Sequence, residues 1–189
     1  MSQLNAFWTA TLGELQGKPL NASVAAVPAK SNDKVKVSKV SFTSLGGQTI
    51  HGWLAVPASA SASARVPGIV VLPGFGNFAL EPPIFLAEQG YAALYINVHG
   101  QPVDAATYPS ATEAYSKGSA TDPAASLAKT MVVAGLRAVE FLAQQPEVNA
   151  DRLGVTGVSQ GGWLAVDVAA LDPRIKALVA SSPAADFPR

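Results

Sequence analysis

Gly157-Val-Ser159-Gln160-Gly161 is a G-x-S-x-G pattern, the arrangement in which a serine hydroxyl is presented for attack on an acyl carbonyl. With 16 Gly and 16 Ser in the chain, about 0.1 such matches arise by chance, so the pattern needs a structural context. That context is present. The apolar stretch Arg152-Leu-Gly-Val-Thr-Gly157 predicts a strand leading in, and residues 161–171 predict a helix starting at once. Gly157 and Gly161 leave out side chains where strand and helix nearly touch. They also permit a strained backbone that exposes the Ser159 hydroxyl. The alternative is a glycine-rich turn holding an incidental serine.

A second apolar run, Gly68-Ile-Val-Val-Leu72, ends in Pro73-Gly74-Phe75-Gly76. A loop in that place supplies one N–H of an oxyanion hole, and the residue after the nucleophile supplies the other. This selects the backbone N–H groups of Phe75 and Gln160. The same stretch, Gly74-Phe-Gly76-Asn-Phe-Ala79, also fits the G-x-G-x-x-A of a dinucleotide site. The acidic ribose ligand of such a site would fall near Asn97, which is not acidic, and Glu81-Pro-Pro delays the helix that should meet the pyrophosphate.

The base that should activate Ser159 is missing from the usual place. The 30 residues after it contain Asp167, Asp172 and Asp186 and no histidine. Asp167 is expected as a solvated charge on the helix behind the serine, and Asp172 as a turn or helix-end residue. Asp186 follows the last strand, near the expected edge of the site. His51 falls in a hairpin remote from the serine, where an exposed or structural role is expected. His99 is expected to end a strand neighbouring the elbow, which makes it the upstream candidate base.

The elements that would hold these groups follow from periodicity. Leu4, Phe7, Trp8, Leu12 and Leu15 predict an amphipathic helix over 4–16, stopped by Gly17 and Pro19. Residues 35–56 alternate about Gly46-Gly47 as a β-hairpin, and 57–64, small and low in complexity, predict a flexible surface connection. Strands over 68–72, 91–96, 152–157 and 175–180 alternate with helices near 84–89, 124–144 and 161–171, and a polar loop spans 97–121. That order predicts a parallel α/β sheet covered on both faces. One incomplete domain over 1–189 is expected, with a helix and hairpin in 1–56 and the parallel core in 66–189.

Composition removes other classes of function. Apolar residues are 49% of the chain and charged residues 14%, which excludes a disordered polymer. Thirteen basic and thirteen acidic residues, without a Lys/Arg cluster, argue against nucleic-acid binding. No cysteine and only two histidines argue against metal centres, disulfides and thiol chemistry. No apolar run is long enough to span a membrane, and the N-terminus lacks the pattern of a signal peptide, so a cytoplasmic location is expected.

Taken with the motifs, the chain resembles the acetyl xylan esterase/cephalosporin-C deacetylase esterases, an α/β-hydrolase group. The resemblance runs from Phe7-Trp8…Leu12…Leu15 through Ile50-His-Gly-Trp-Leu-Ala-Val-Pro57, Pro73-Gly-Phe-Gly76, Gly90-Tyr91 and His99-Gly-Gln101. It continues through Arg137-Ala-Val-Glu140, Pro146-Glu-Val-Asn149, Asp151-Arg152, Gly157-Val-Ser-Gln-Gly-Gly162 and Ala170-Leu-Asp-Pro-Arg174. It implies an α/β-hydrolase fold and a serine carboxylesterase that removes short acyl groups, above all acetyl, from sugars or related alcohols through an acyl-enzyme. Ser159 is then the nucleophile, and the Phe75 and Gln160 amides form the oxyanion hole. No metal or organic cofactor is implied, and the partner is a small ester such as an acetylated carbohydrate, with a homo-oligomer also in keeping. Two departures stand out. Pro73-Gly74 replaces the common His-Gly, and His99 stands where the family has a structural arginine, so the substrate range is expected to shift. The resemblance also implies that the chain is the N-terminal two-thirds of such an esterase, inactive alone, with its triad acid and histidine further on. The alternatives are a nucleotide-binding module on Gly74–Ala79 and a non-catalytic domain of the same fold.

Overall fold

The computed structural model describes residues 3–110 and 122–183. Helix α1 (Gln3–Leu15) lays Trp8, Leu12 and Leu15 against the core, and the chain then turns at Gly17, whose φ is +69°. Strands β1 (Ser23–Ala26), β2 (Val35–Thr43) and β3 (Thr49–Pro57) follow, each antiparallel to the next. The alternation in β2 and β3 serves two cores. Val40 and Phe42, with Ile50, Leu54 and Val56, face one side of the sheet, while Val35, Val37, Trp53 and Ala55 face the other. A side-chain period of two sends consecutive residues to opposite faces, so both faces of one strand are filled by different neighbours.

The remaining strands are β4 (Val66–Leu72), β5 (Ala92–Asn97), β6 (Val148–Val158) and β7 (Ile175–Ser181). All seven join one sheet in the order β1-β2-β3-β5-β4-β6-β7, and β5, β4, β6 and β7 run parallel. The expected hairpin is formed by β2 and β3, and β3 also pairs antiparallel with β5 and carries the sheet on into the parallel part. The fold is α/β, a mixed sheet with an N-terminal helix and antiparallel N-terminal strands. Strand β6 begins four residues earlier than its apolar run suggested, and β1 was not foreseen at all: its four residues are exposed and carry no burial period.

Helices α3 (Leu127–Ala143) and α4 (Gln160–Leu171) cover one face, here called face A. Ser126 caps α3 by accepting the Lys129 N–H, satisfying one of the donors that a helix start leaves without a partner. Phe141 of α3 stacks on Phe42 of β2 with ring centroids 5.2 Å apart. Each buried ring contributes about 1.5–3 kcal/mol, and their mutual contact about 0.5–1.5 kcal/mol more. Arg137, 2% exposed, ties this layer to the N-terminal segment. It donates to the carbonyls of Thr43, Lys18 and Pro19 at 2.9–3.0 Å and to Glu140 at 2.6 Å.

Among the described residues, the only helix on the opposite face, face B, is the five-residue α2 (Ile84–Glu88), which packs on β2, β3 and β5. The expectation of a sheet covered on both faces is thus met on face A and only in part on face B. The connection at 57–64, expected to be flexible, is a closed turn: Ser61 and Ala64 exchange hydrogen bonds, and Ala60 is buried in the core. Part of the polar loop over 97–121 lies outside the described residues. No described helix is long and apolar enough to cross a membrane.

Candidate active site

The junction of β6 and α4 is built tightly enough to dictate its glycines. A Cβ on Gly157 would lie 2.2 Å from the Gly161 carbonyl oxygen, and one on Gly161 would lie 2.1 Å from the Leu72 carbonyl oxygen. Backbone meets backbone at both places, so no side-chain adjustment makes room. Between them Ser159 holds φ 55° and ψ −119°, a conformation that L-residues rarely adopt. The strain is held in place from several sides. The Ser159 N–H donates to the Ser181 carbonyl of β7 at 2.9 Å, and its own carbonyl accepts the N–H of Gly162 and of Trp163. This is the strand–turn–helix geometry that G-x-S-x-G requires.

Because α4 starts at Gln160, the N–H groups of Gln160 and Gly161 belong to the first turn, where no intrahelical carbonyl faces them. The Gln160 side chain is buried. The contact of Gly161 with Leu72 and Pro73 brings the end of β4 against this turn, and Gly74 lies beside the Val158 carbonyl. Phe75 follows directly, its ring 58% exposed at the same end of the sheet as Ser159. The structure therefore gathers Gly157, Ser159, Gln160 and Gly161 in one turn, with the loop that carries Phe75 abutting it. Phe78 and Val158 are exposed as well.

That loop is anchored by residues that no motif announces. The Trp53 Nε1–H donates to the Leu80 carbonyl at 2.7 Å in a buried hydrogen bond, and the Leu80 N–H donates to Val103. Lys30 and Lys39 each lie 5.5 Å from the centre of the Trp53 ring while pairing with Glu81 and Asp104. Asn77 donates its amide to the Pro109 carbonyl. These partners are 14 to 65 residues apart, and an aromatic at an alternating strand position reads only as core.

The two histidines fall elsewhere. His51 is on β3, and His99 follows β5, with β4 between β5 and the elbow strand β6. The expectation that His99 ends a strand neighbouring the elbow is corrected on this point. At about 4.8 Å per strand, β5 is roughly 10 Å and β3 roughly 14 Å from β6. Asn97, which the dinucleotide fingerprint would need as an acid, accepts the N–H groups of His99 and Gln101. Nor does a helix start at the end of the Gly74–Ala79 stretch; α2 begins only at Ile84. The pyrophosphate cradle of that alternative is not formed. Asp172 caps α4 and chelates the Arg174 guanidinium at 2.6–3.2 Å, as a helix-end residue. Asp167 is half-buried rather than solvated, and burial raises its carboxyl above the ordinary value. Asp186 lies outside the described residues. Among the described residues no three or more His, Asp or Glu gather as a metal site would.

Burial lowers the pKa of His99 below its ordinary 6.5, and burial followed by Lys39 lowers that of His51, against an opposing pull from Asp104. The unfolded chain therefore takes up protons near pH 6.5 that the folded chain refuses. The stabilisation is complete above pH 6.5 and is lost as pH falls from there through the folded values. Thermal scans between pH 7.5 and 5 should show Tm declining, and His99→Gln should flatten that decline. Equal slopes in the two proteins would show that His99 contributes nothing to it.

Comparison with known proteins agrees with this geometry. The family model described as acetyl xylan esterase (AXE1) matches residues 2–189. Acetyl esterase Axe7A of Xylanibacter ruminicola is 28% identical over 191 residues, covering 95% of this chain and 43% of its own length. The acetyl xylan esterase from Paenibacillus sp. R4 superposes with a TM-score of 0.80 at 30% identity, over 95% of this chain and 59% of that one. Acetyl xylan esterase 1 from Thermoanaerobacterium sp. JW/SL YS485 gives a TM-score of 0.78 at 20% identity, over 95% and 57%. The chain thus spans about half the length of these relatives. It belongs to the acetyl xylan esterase family.

Proposed function

We propose that the protein is a serine esterase that removes short acyl groups, acetyl above all, from sugars or similar alcohols. The observation that carries this is the strained Ser159 at the start of α4, with the end of β4 pressed against the same turn. Ser159 Oγ attacks the ester carbonyl carbon, and the carbonyl oxygen becomes an alkoxide. The N–H groups of Phe75 and Gln160 stabilise it, each worth about 3–4 kcal/mol in sites of this kind. Collapse expels the alcohol and leaves an acyl-serine, which water then hydrolyses. A serine hydroxyl is a weak nucleophile without a base, and both described histidines stand two or three strands from β6. Neither described histidine is therefore assigned as the base.

The acyl preference has its own test, made on the natural gene product. Across p-nitrophenyl esters, kcat/KM should fall at least about tenfold from acetyl to octanoyl, as a pocket closed to longer chains requires. A steady rise along the series would replace the short-acyl assignment with a lipase-like one and leave Ser159 as nucleophile untouched.

A further inference from the structure

Between β4 and α2, residues 73–83 form no helix or strand, so no ladder of backbone bonds fixes them. Their place, and with it that of the Phe75 N–H, is set by tethers. At one end Pro73 and Gly74 lie against the first turn of α4 and the Val158 carbonyl. At the other end Leu80, five residues beyond Phe75, is held at both of its main-chain groups. Its N–H donates to the Val103 carbonyl at 2.8 Å, and its carbonyl accepts the Trp53 Nε1–H at 2.7 Å.

Trp53 belongs to β3 and is level with Tyr95 of β5, Val71 of β4 and, on β6, Thr156, which precedes Ser159 by three residues. The loop therefore crosses β5 between the end of β4 and its anchor on β3, a reach of two strand spacings, roughly 10 Å. The indole is 1% exposed and shares the face B cluster with Val35, Val37, Leu80 and Val103. A buried indole N–H needs an acceptor and a buried carbonyl needs a donor, and here each serves the other. Charge closes over the same place. Glu81 and Asp104, directly after Leu80 and Val103, pair with Lys30 at 2.9 Å and Lys39 at 2.7 Å. Both ammonium groups lie 5.5 Å from the centre of the Trp53 ring, within cation–π range.

We infer that Trp53 is a positioning residue of the esterase: through Leu80 it fixes where the Phe75 N–H stands relative to the substrate's carbonyl oxygen. The inference rests on the proposed oxyanion role of Phe75. Ester hydrolysis passes through an alkoxide twice, on acylation and on deacylation, and both alkoxides meet the same donors. A displacement of about 1 Å in such a site costs about 100-fold in rate. Loosening the loop therefore slows both steps and leaves KM, which depends on their ratio and on binding, nearly unchanged.

Trp53→Phe keeps an aromatic ring and removes the N–H. Benzothienylalanine at position 53 keeps the fused ring as well, with sulfur where the N–H was. In the natural gene product each should lower kcat for p-nitrophenyl acetate at least about tenfold per titrated active site, with KM within about threefold. Methylboronic acid, whose tetrahedral adduct on Ser159 uses the same donors, should bind more weakly by a similar factor. Phe141→Leu, which loosens the core on face A, should lower the unfolding midpoint and leave kcat and boronate binding within about twofold. Where Trp53→Phe fails to fold, the isostere decides. A smaller fall in kcat, or a rise in KM alone, would overturn the inference, while an inactive Ser159→Ala upholds the esterase reading. An equal loss in Phe141→Leu would overturn it too, as a general effect of stability. A parent that cleaves no ester would remove the esterase reading and the inference together.

Discussion

Ser159→Ala should lower kcat/KM for p-nitrophenyl acetate at least about 1,000-fold in the natural gene product, leaving only what binding and the oxyanion donors supply. The substitution removes one oxygen at a half-exposed position, and the contacts that hold the turn are made by main-chain groups: the Ser159 N–H to Ser181, and its carbonyl to Gly162 and Trp163. The unfolding transition should therefore stay where it is. That combination separates a nucleophile from a structural serine, whose loss would move stability and activity together. A variant keeping a tenth of the activity would remove Ser159 from the mechanism.

Gly161→Ala should be the most damaging single methyl group that can be added near the site. Its Cβ would sit 2.1 Å from the Leu72 oxygen, 2.7 Å from the Leu72 carbonyl carbon and 2.8 Å from the Pro73 oxygen. Overpacking against movable side chains costs about 1–3 kcal/mol, and strand backbone gives way less easily. A loss of at least about 4 kcal/mol is expected, a size reserved for named structural faults. Relief is available only by parting the end of β4 from the first turn of α4, which also moves Phe75 away from Ser159. Activity should fall in whatever fraction remains folded. Gly13→Ala is the matched control: nothing lies within 4 Å of that Cβ, and α1 gains helix propensity of about 0.5–1 kcal/mol. Denaturant midpoints of the two variants and the parent decide the matter. Equal midpoints for Gly161→Ala and the parent would mean that the two backbones are not in contact.

Gly157, Ser159, Gln160 and Gly161 were legible in the sequence because their geometry is local. A strand, a turn that tolerates no Cβ on either flank and a helix are contiguous in the chain, so residue types at fixed spacing describe the whole device. The loop over Pro73–Gly76 was legible for the same reason, as a glycine-rich end to an apolar strand. Periodicity likewise determined the alternation of strands and helices, and with it the α/β class. Tertiary structure decided the rest. Whether β5 lies beside β6 or is separated from it by β4 depends on which strand edges pair across tens of residues, and no local propensity encodes that choice. It is the choice that sets His99 two strands away from Ser159. The hydrogen bond from Trp53 to Leu80 and the four bonds of Arg137 are likewise outcomes of long-range pairing. A side chain's period shows that it points inward, while the partner waiting there is fixed only when distant segments close over it.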